Sequence, residues 1–414
     1  MRIFAVVVLT SMNLVNYLDR FIISALLPFI KADLRLTDAQ LGLLHTTFTI
    51  GYLLSSPFLG ILGDRMSRKW LASASVFLWS GATALSGIAT SYPMLRTIRS
   101  FVGVGEAGYG PVAPTLIADY YSENVRSRIL SIYYIGTPLG SAIGIVSGGM
   151  LGHRYSWRLA FLAAAIPGML LAILALFLKE PERKAGYRQT LSIEETIREL
   201  WKTPSYLYNL VGATALTFAT GGLAYWFPTF LYRMRGWHMM HAAQLFGAVT
   251  VVAGISGTLF GGFIADLWQQ KNRRSYFYVS ALGMLISAPL AILSILIQSK
   301  IWVFPFIFLT EFFLFFNVSP LNAAILSVVR PGMRATAMAV NILIIHLFGD
   351  AISTVVMGKV SDLSQSLTTG VMLAPWAIFI GGLVLVAGAK HLAQDQEKLE
   401  EEIKNLGAGN AGKS

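Results

Sequence analysis

Long apolar segments recur along almost the whole chain, and short polar connections separate them. A helix that crosses a bilayer needs about 20 predominantly apolar residues. The segments that reach this length predict twelve transmembrane helices, at about residues 3–29, 39–62, 70–89, 93–118, 127–152, 158–178, 206–232, 242–265, 275–297, 301–329, 334–360 and 370–390. We therefore predict an all-α membrane protein.

One long polar interruption, residues 179–205, divides these helices into two groups of six. We interpret it as a cytoplasmic linker between an N-terminal half, residues 1–178, and a C-terminal half, residues 206–392. The remaining residues, 393–414, are predicted to form a polar cytoplasmic tail.

A short repeat supports two pseudo-symmetric halves. The second predicted helix ends in Gly60-Ile-Leu-Gly63-Asp64, and the eighth ends in Gly262-Phe-Ile-Ala265-Asp266. Two small residues followed by an aspartate thus fall at the same place in each half. Repeated halves with a site between them are typical of secondary transporters, which we predict this protein to be.

Composition and charge agree with this interpretation. The chain is 55% hydrophobic and 13% charged, and it has no cysteine, which excludes disulfides and cysteine-based chemistry. The net charge of +11 does not indicate nucleic-acid binding, because the basic residues separate by side. With both termini in the cytoplasm, the predicted cytoplasmic segments hold 21 Lys and Arg and the opposite side holds eight. This excess predicts the orientation.

Four charged residues lie well inside the predicted membrane helices of the N-terminal half, away from the helix ends: Asp19 and Arg20 in the first, and Arg99 and Glu106 in the fourth. Each costs roughly 2.5–3.5 kcal/mol at the bilayer centre if it has no partner. Arg99 and Glu106 are seven residues apart, so they share a helix face at a distance of roughly 10 Å. The pairs Arg20–Glu106 and Asp19–Arg99 are both compatible with this pattern, and the sequence does not choose between them.

These charges allow a structural and a functional interpretation. They could form a static ion-pair network that holds the first half together. Alternatively Glu106, with Asp19 as its rival, takes up and releases the coupling proton, as intramembrane acids often do. Arg20 and Arg99 would then attract an anionic substrate group, with the side chains of Asn16 and Tyr17 beside them.

The C-terminal half offers a different set of side chains. Glu311 and Phe312 lie in a phenylalanine-rich helix, and His346 precedes Asp350 by one helical turn, a spacing that allows a hydrogen bond. We predict that Glu311, Phe312 and His346 contribute to the substrate site. A cavity with charged groups on one wall and aromatic rings on the other suits an amphipathic solute.

Three further motifs carry weaker signals. Gly103-Val-Gly105-Glu-Ala-Gly108 fits a dinucleotide-binding pattern but lies within a predicted membrane helix, where glycines favour close helix packing. Residues 407–414 fit a P-loop pattern, but no helix follows to receive phosphate. His238 and His241 have a spacing that a metal could use, although a plain loop is the simpler interpretation. We expect no cofactor and no enzymatic activity.

Several motifs together resemble a known transporter family. Gly60-x-x-x-Asp64-Arg65-x-x-Arg68-Lys69 resembles the signature loop of the major facilitator superfamily. Its Spinster branch, in bacterial form, is similar at Asn16-Tyr17-Leu-Asp19-Arg20, at the segment from Gly103 to Pro114 and at His346-Leu-Phe-Gly349-Asp350. One departure is Ser353-Thr354, where the resemblance leads us to expect Ser-Pro and a bend in the eleventh helix.

The resemblance implies a fold and a function. It implies alternating access in a monomer of the bacterial inner membrane, with a cytoplasmic gate formed by Gly60, Asp64, Arg65, Arg68 and Asp266. It also implies a lysophospholipid-like or sphingolipid-like substrate and a proton as the coupling ion, with membrane lipids as the surroundings. The alternative is a small organic anion/proton symporter of another branch of the superfamily.

Overall fold

The computed structural model describes residues 2–110, 112–120, 123–180, 193–330 and 333–411. The backbone alone is described at 61, 63–65, 115, 118–119, 123–128, 130–131, 193, 334–335 and 403–411. Within the described residues the regular secondary structure is helical, as predicted. The first eight helices are α1 (Arg2–Leu34), α2 (Asp38–Arg65), α3 (Arg68–Ser86), α4 (Tyr92–Tyr109), α5 (Val112–Tyr120), α6 (Glu123–Arg154), α7 (Trp157–Leu176) and α8 (Ile193–Trp201).

The later part of the chain forms a second series of helices with one irregular turn. A π-helical turn at His346–Asp350 lies between α14 and α15. The helices are α9 (Pro204–Arg235), α10 (Met239–Gln269), α11 (Ser275–Leu296), α12 (Val303–Phe315), α13 (Val318–Val328), α14 (Arg334–Ile345), α15 (Ala351–Ser364), α16 (Leu367–Val371) and α17 (Leu373–Ala411).

Nine helical stretches in the described part of the chain are long and apolar enough to cross a membrane. They coincide with nine of the twelve predicted segments. The second, third and fourth predicted segments correspond to α2, α3 and the pair α4–α5. Large apolar side chains are exposed along these helices, among them Phe58 at 74% and Leu259 at 67%. Such exposure is expected where the solvent is lipid rather than water.

Several predicted spans are interrupted in the structure. The fourth span changes from α4 to α5 at residues 110–111, and the tenth changes from α12 to α13 at Phe316 and Asn317. The eleventh span lacks the expected proline, and it carries instead the π-helical turn, which ends three residues before Ser353. Such turns widen the helix locally and often mark functional sites.

Contacts divide the chain into two compact units. Unit 1 contains residues 1–186, 221–251 and 351–371, and unit 2 contains residues 187–220, 252–350 and 372–414. Within unit 1, α1 packs along α6, α2 along α4 and α15, and α3 along α4 and α7. Within unit 2, α11 packs against α12 and α17.

A row of glycines allows close contact between α6 and α1. Gly140, Gly144 and Gly148 recur every four residues in α6 and so share one face. A Cβ atom at Gly140 would lie 2.1 Å from the carbonyl oxygen of Leu14, and one at Gly144 would lie 2.4 Å from that of Leu18. The charged residues of α1 are therefore carried by a helix whose position is fixed by direct backbone contact.

Replacement of Gly144 with alanine is expected to destabilise the protein by about 1–3 kcal/mol, the usual cost of overpacking. The added methyl group can be accommodated only if the backbone of α1 moves. Gly60 provides the matched control, because a Cβ atom there meets nothing within 4 Å. Gly60→Ala should be neutral or slightly stabilising. Thermal unfolding of both variants in detergent checks this, and equal melting temperatures would contradict the packing argument.

Candidate functional site

An ion pair joins α1 to α4 inside unit 1. Arg20 donates to Glu106 Oε2 from Nη2 at 2.6 Å and from Nε at 3.1 Å. The Glu106 side chain is fully buried, and 19% of the Arg20 side chain is exposed. Of the two pairings that the sequence allows, the structure contains this one.

Aromatic rings surround the Arg20 guanidinium. Its Cζ lies 5.1 Å from the ring centroid of Tyr17, 5.2 Å from that of Phe48 and 5.4 Å from that of Tyr52. A cation near the face of an aromatic ring is stabilised by about 0.5–2 kcal/mol, most where water is excluded. The rings therefore provide a second way to hold Arg20, in addition to the carboxylate of Glu106.

Asp19 has a different partner from the one that the second pairing requires. It is fully buried, and its Oδ2 accepts a hydrogen bond from Thr83 Oγ1 of α3 at 3.2 Å. Asp19 thus points toward α3, while the neighbouring Arg20 points toward α4. This divergence follows from the turn of about 100° between successive residues of a helix.

Arg99 is a fully buried cation in the same unit. Its three guanidinium nitrogens make no hydrogen bond with any described residue. Its Cζ lies 5.2 Å from the ring centroid of Phe48, so this one ring contacts both arginines. The charges of Glu106 and Asp19 act on Arg99 across space. Asn16 is also buried, one turn before Arg20 on α1.

The glycines beside Glu106 serve close packing. A Cβ atom at Gly103 would lie 2.0 Å from the carbonyl oxygen of Phe48, and one at Gly105 would lie 2.6 Å from the backbone nitrogen of Trp79. These contacts join α4 to α2 and α3. They agree with the helix-packing interpretation of the glycine motif.

Unit 2 holds the other predicted substrate residues. Glu311 is buried on α12, and the neighbouring Phe312 contacts Phe260, Phe308, Phe313 and Phe316. His346 Nδ1 lies 3.1 Å from Asp350 Oδ2 within the π-helical turn, so the hydrogen bond that the spacing allows is present. The aromatic cluster and the His346–Asp350 pair are on different helices of this unit.

The predicted cytoplasmic gate is only partly visible. The side chains of Asp64 and Arg65 lie outside the described residues. Arg68 Nε lies 3.6 Å from Glu180 Oε1, and Tyr276 donates to Asp266 at 3.4 Å. Gly60 has open space around it. The gating role of these residues remains a prediction.

Glu180 caps the beginning of α3 beside this region. It accepts hydrogen bonds from the backbone N–H groups of Arg68 and Lys69 and from the hydroxyl of Ser67. Burial alone would raise the pKa of Glu180, but these hydrogen bonds bring it below its ordinary value.

A cluster around Asp38 was not found from the sequence. Its buried carboxylate accepts from Lys31 Nζ at 2.5 Å, Arg233 Nη1 at 2.9 and 3.0 Å, and Ser361 Oγ at 2.7 Å. Asp362 in turn accepts from the backbone N–H groups of Asp38 and the next residue at 2.9 and 2.8 Å. The four segments of unit 1 that meet here are the ends of α1, α2, α9 and α15. A capping signal, Thr37-x-x-Gln40, was available but reveals only the start of α2.

Histidines meet at another corner of unit 1. The ring centroids of His153 and His238 are 4.0 Å apart, and those of His238 and His241 are 5.5 Å apart. Among the described residues, no group of three or more His, Cys, Asp or Glu side chains could hold a metal ion. The neighbour that the sequence did not predict for the His238–His241 motif is His153.

Comparisons with known proteins place the chain in a family. The Major Facilitator Superfamily matches residues 9–354. Spinster homolog 1 of Xenopus laevis is 34% identical over 95% of this chain and 82% of that protein. The sphingosine-1-phosphate transporter SPNS2 of Xenopus tropicalis is 32% identical over 95% of this chain and 83% of that protein. The chain belongs to the Spinster family of the major facilitator superfamily.

Solved structures agree with this assignment. A bacterial homologue of the human lysosomal transporter Spinster, in an inward-facing and occupied conformation, is 25% identical with a TM-score of 0.77. The match covers 95% of this chain and 96% of that one. A D-xylose–proton symporter shares the fold alone, at 16% identity and a TM-score of 0.74 over 94% of this chain and 97% of that one. This Spinster protein is a multi-pass membrane transporter and not an enzyme, as predicted.

Proposed function

We propose that this Spinster protein carries a lysophospholipid-like or sphingolipid-like amphiphile with an anionic headgroup. Transport proceeds by alternating access and is coupled to protons. The protein works as a monomer in a bacterial inner membrane, with both termini in the cytoplasm. Arg20 and Arg99, with Asn16 and Tyr17, receive the headgroup.

Arg99 is the observation that carries this proposal. A guanidinium without hydrogen bonds is costly to bury, because its lost hydration is not replaced. An anionic phosphate or carboxylate would supply acceptors in the planar, bidentate geometry that arginine favours. The buried position of Arg99 therefore suits an anion that arrives from outside the protein.

Glu106 competes with the anionic substrate for Arg20 and Arg99. It already binds Arg20, and its charge acts on Arg99. When an anionic substrate engages the arginines, Glu106 loses part of its stabilisation as an anion and takes up a proton. In this way substrate charge and proton become linked at one site.

The relatives favour an amphiphile over a small organic anion. SPNS2 is named for sphingosine-1-phosphate, a molecule with one hydrocarbon chain and a phosphate. This chain has arginines that suit a phosphate in unit 1 and a phenylalanine cluster around Phe312 in unit 2. A small organic anion would use the arginines but would gain nothing from those rings.

Uptake into proteoliposomes tests the proposal. With an alkaline interior, the wild type should accumulate lysophosphatidic acid, but neither a neutral lysolipid nor a small dicarboxylate. Arg99→Ala should reduce uptake by at least about tenfold, since a hydrogen bond to a charged group contributes roughly 1.5–3 kcal/mol. Arg99→Lys should recover part of the activity, because lysine keeps the positive charge but lacks the planar, bidentate geometry of the guanidinium.

Three results would contradict the proposal. Preferential accumulation of the dicarboxylate would favour the organic anion symporter, and transbilayer equilibration without accumulation would indicate a lipid scramblase. Equal loss of binding for charged and neutral lysolipids in Arg99→Ala, with a lowered melting temperature, would assign a structural role to Arg99.

A further inference from the structure

An apolar groove of about 660 Å³ lies on unit 2. One wall is a stripe of α9 residues that recur every three or four positions and therefore share a face. This stripe consists of Leu207, Leu210, Val211, Thr214, Ala215 and Phe218. It continues along α9 without a charged residue.

The length of the stripe corresponds to one leaflet of a bilayer. Leu207 and Phe218 are eleven residues apart, which is about 16 Å along a helix. Half of the hydrocarbon core of a bilayer is about 15 Å thick. The stripe is therefore long enough to reach from the membrane surface to roughly the middle of the membrane.

The groove presents hydrocarbon surface along its whole length. The one polar residue of the stripe, Thr214, donates its hydroxyl to the carbonyl of Leu210 at 2.7 Å, so its hydrogen-bonding requirement is met within α9. Ile344 of α14 and Ala377 and Ile380 of α17 complete the walls. A headgroup would find no polar partner here, whereas a hydrocarbon chain would.

The two ends of the groove differ in character. At the α8 end, Trp201 is 56% exposed, and the exposed Lys202 follows it. Tryptophan at a membrane surface and a nearby cation suit an amphiphile with an anionic headgroup. At the inner end, Phe348 extends from the π-helical turn that also carries His346 and Asp350. Gly349 of this turn packs tightly on α9, where a Cβ atom would lie 2.9 Å from Thr217 Cβ.

We infer that this groove binds the hydrocarbon tail of a single-chain anionic amphiphile from the leaflet on the α8 side, with the headgroup near Lys202. The choice of ligand rests on the proposed function. None of the residues that line the groove belongs to the Arg20–Glu106 site, and its occupant contacts the π-helical turn through Phe348. It provides a place where substrate is held in the membrane next to the transporter.

Photolabelling of the full-length protein tests this site. The protein is placed in nanodiscs of zwitterionic lipid with a lysophosphatidic acid that carries a diazirine in its tail. Mass spectrometry should find the label concentrated on residues 207–218 and on Phe348. Val211→Trp fills the groove and should reduce this labelling roughly fourfold or more, the effect expected from displacing a single buried methylene group.

Two further variants make the result specific. Val386→Trp is the matched control, because Val386 is similarly exposed on unit 2, at 44% against 52% for Val211, and does not line the groove. It should leave the labelling unchanged. Ala377→Phe narrows the groove from the opposite wall and should act like Val211→Trp, which guards against misfolding of one variant.

The outcomes separate the groove from the proposed function. Label spread evenly over the lipid-facing helices, or equal loss in the Val386 variant, would overturn the site. So would displacement of the probe by a two-chain lipid as effectively as by an unlabelled lysolipid. Lysolipid uptake by wild type without labelling of the groove would reject the site alone. Concentrated labelling without any uptake would reject the proposed function and leave the site standing.

Discussion

Replacement of Glu106 with glutamine is expected to abolish proton-driven accumulation while passive exchange of substrate continues. Glutamine keeps the shape of the side chain and can still accept a hydrogen bond from Arg20, but it cannot bind a proton and become neutral. At zero membrane potential, a wild type that moves one proton with each neutral complex can accumulate substrate about tenfold per pH unit, the equivalent of 1.36 kcal/mol. The Glu106→Gln variant should reach only equal concentrations on both sides.

The measurement is a comparison of net uptake and exchange in the same proteoliposomes. Loss of both activities would indicate damage to the site, because removal of one partner of a buried pair can cost about 3–5 kcal/mol. Accumulation like that of the wild type would reject Glu106 as the proton site.

Asp19→Asn is the discriminating control for this experiment. Asp19 is as deeply buried as Glu106, but its hydrogen bond is with the neutral Thr83. If Asp19→Asn alone lost accumulation, the coupling proton would belong to α1. If both variants lost it, the two carboxyl groups would form one relay.

The Arg20–Glu106 pair shows how far sequence could predict this site. Charges at membrane depth need partners, so a small number of buried charges limits the possible pairs. The choice between Glu106 and Asp19 as partners of the arginines depends on how α4 is rotated against α1. The rotation of α4 is set by its glycine contacts with α2 and α3, such as Gly103 with Phe48, which require three-dimensional packing. The sequence could therefore predict the group of charges but not its final pairing.

The irregular parts of the helices were harder to predict from the sequence. The hydrophobic pattern gives the positions of the spans but carries no signal for a change of helix at Phe316 or for a π-helical turn at His346–Asp350. Because the eleventh span lacks the expected proline, the sequence did not show whether this helix bends. The π-helical turn contains Gly349, whose close contact with α9 holds the turn in place. Local irregularity thus depends on packing between segments more than a hundred residues apart.

The Asp38 cluster illustrates the same limit, because its partners Arg233 and Ser361 lie 195 and 323 residues away.

Burial alone would raise the pKa of Asp38, but the hydrogen bonds from Lys31 and Ser361 and the charge of Arg233 bring it below its ordinary value. A carboxyl with a lowered pKa stabilises the structure at pH values above its ordinary pKa. This stabilisation is lost as the pH falls through the lowered value.

We expect Asp38→Asn to loosen this end of unit 1 at neutral pH. The change leaves Lys31 and Arg233 next to each other without a carboxylate. Both cations are partly exposed, at 30% and 27%, so the cost lies between those of surface and buried pairs, at about 2 kcal/mol. The ratio of molecules in which these helix ends are held together to molecules in which they are apart should then fall roughly thirtyfold. Because the chain has no cysteine, spin labels at Ala32→Cys and Ser364→Cys can report the distance between α1 and α15 without background.

Asp33→Asn is the matched control for the Asp38 variant. Asp33 pairs with Arg158 at 2.7 Å, but 45% of its side chain is exposed, so its loss should cost at most about 1 kcal/mol. The wild type should keep its short distance from neutral pH down to the lowered pKa of Asp38, and below it should resemble the Asp38→Asn variant. An unchanged distance distribution in Asp38→Asn, or an equal change in Asp33→Asn, would show that the carboxylate of Asp38 does not hold these helices together. A longer distance between α1 and α15 in Asp38→Asn alone would identify this cluster as the contact that must break when the transporter changes conformation.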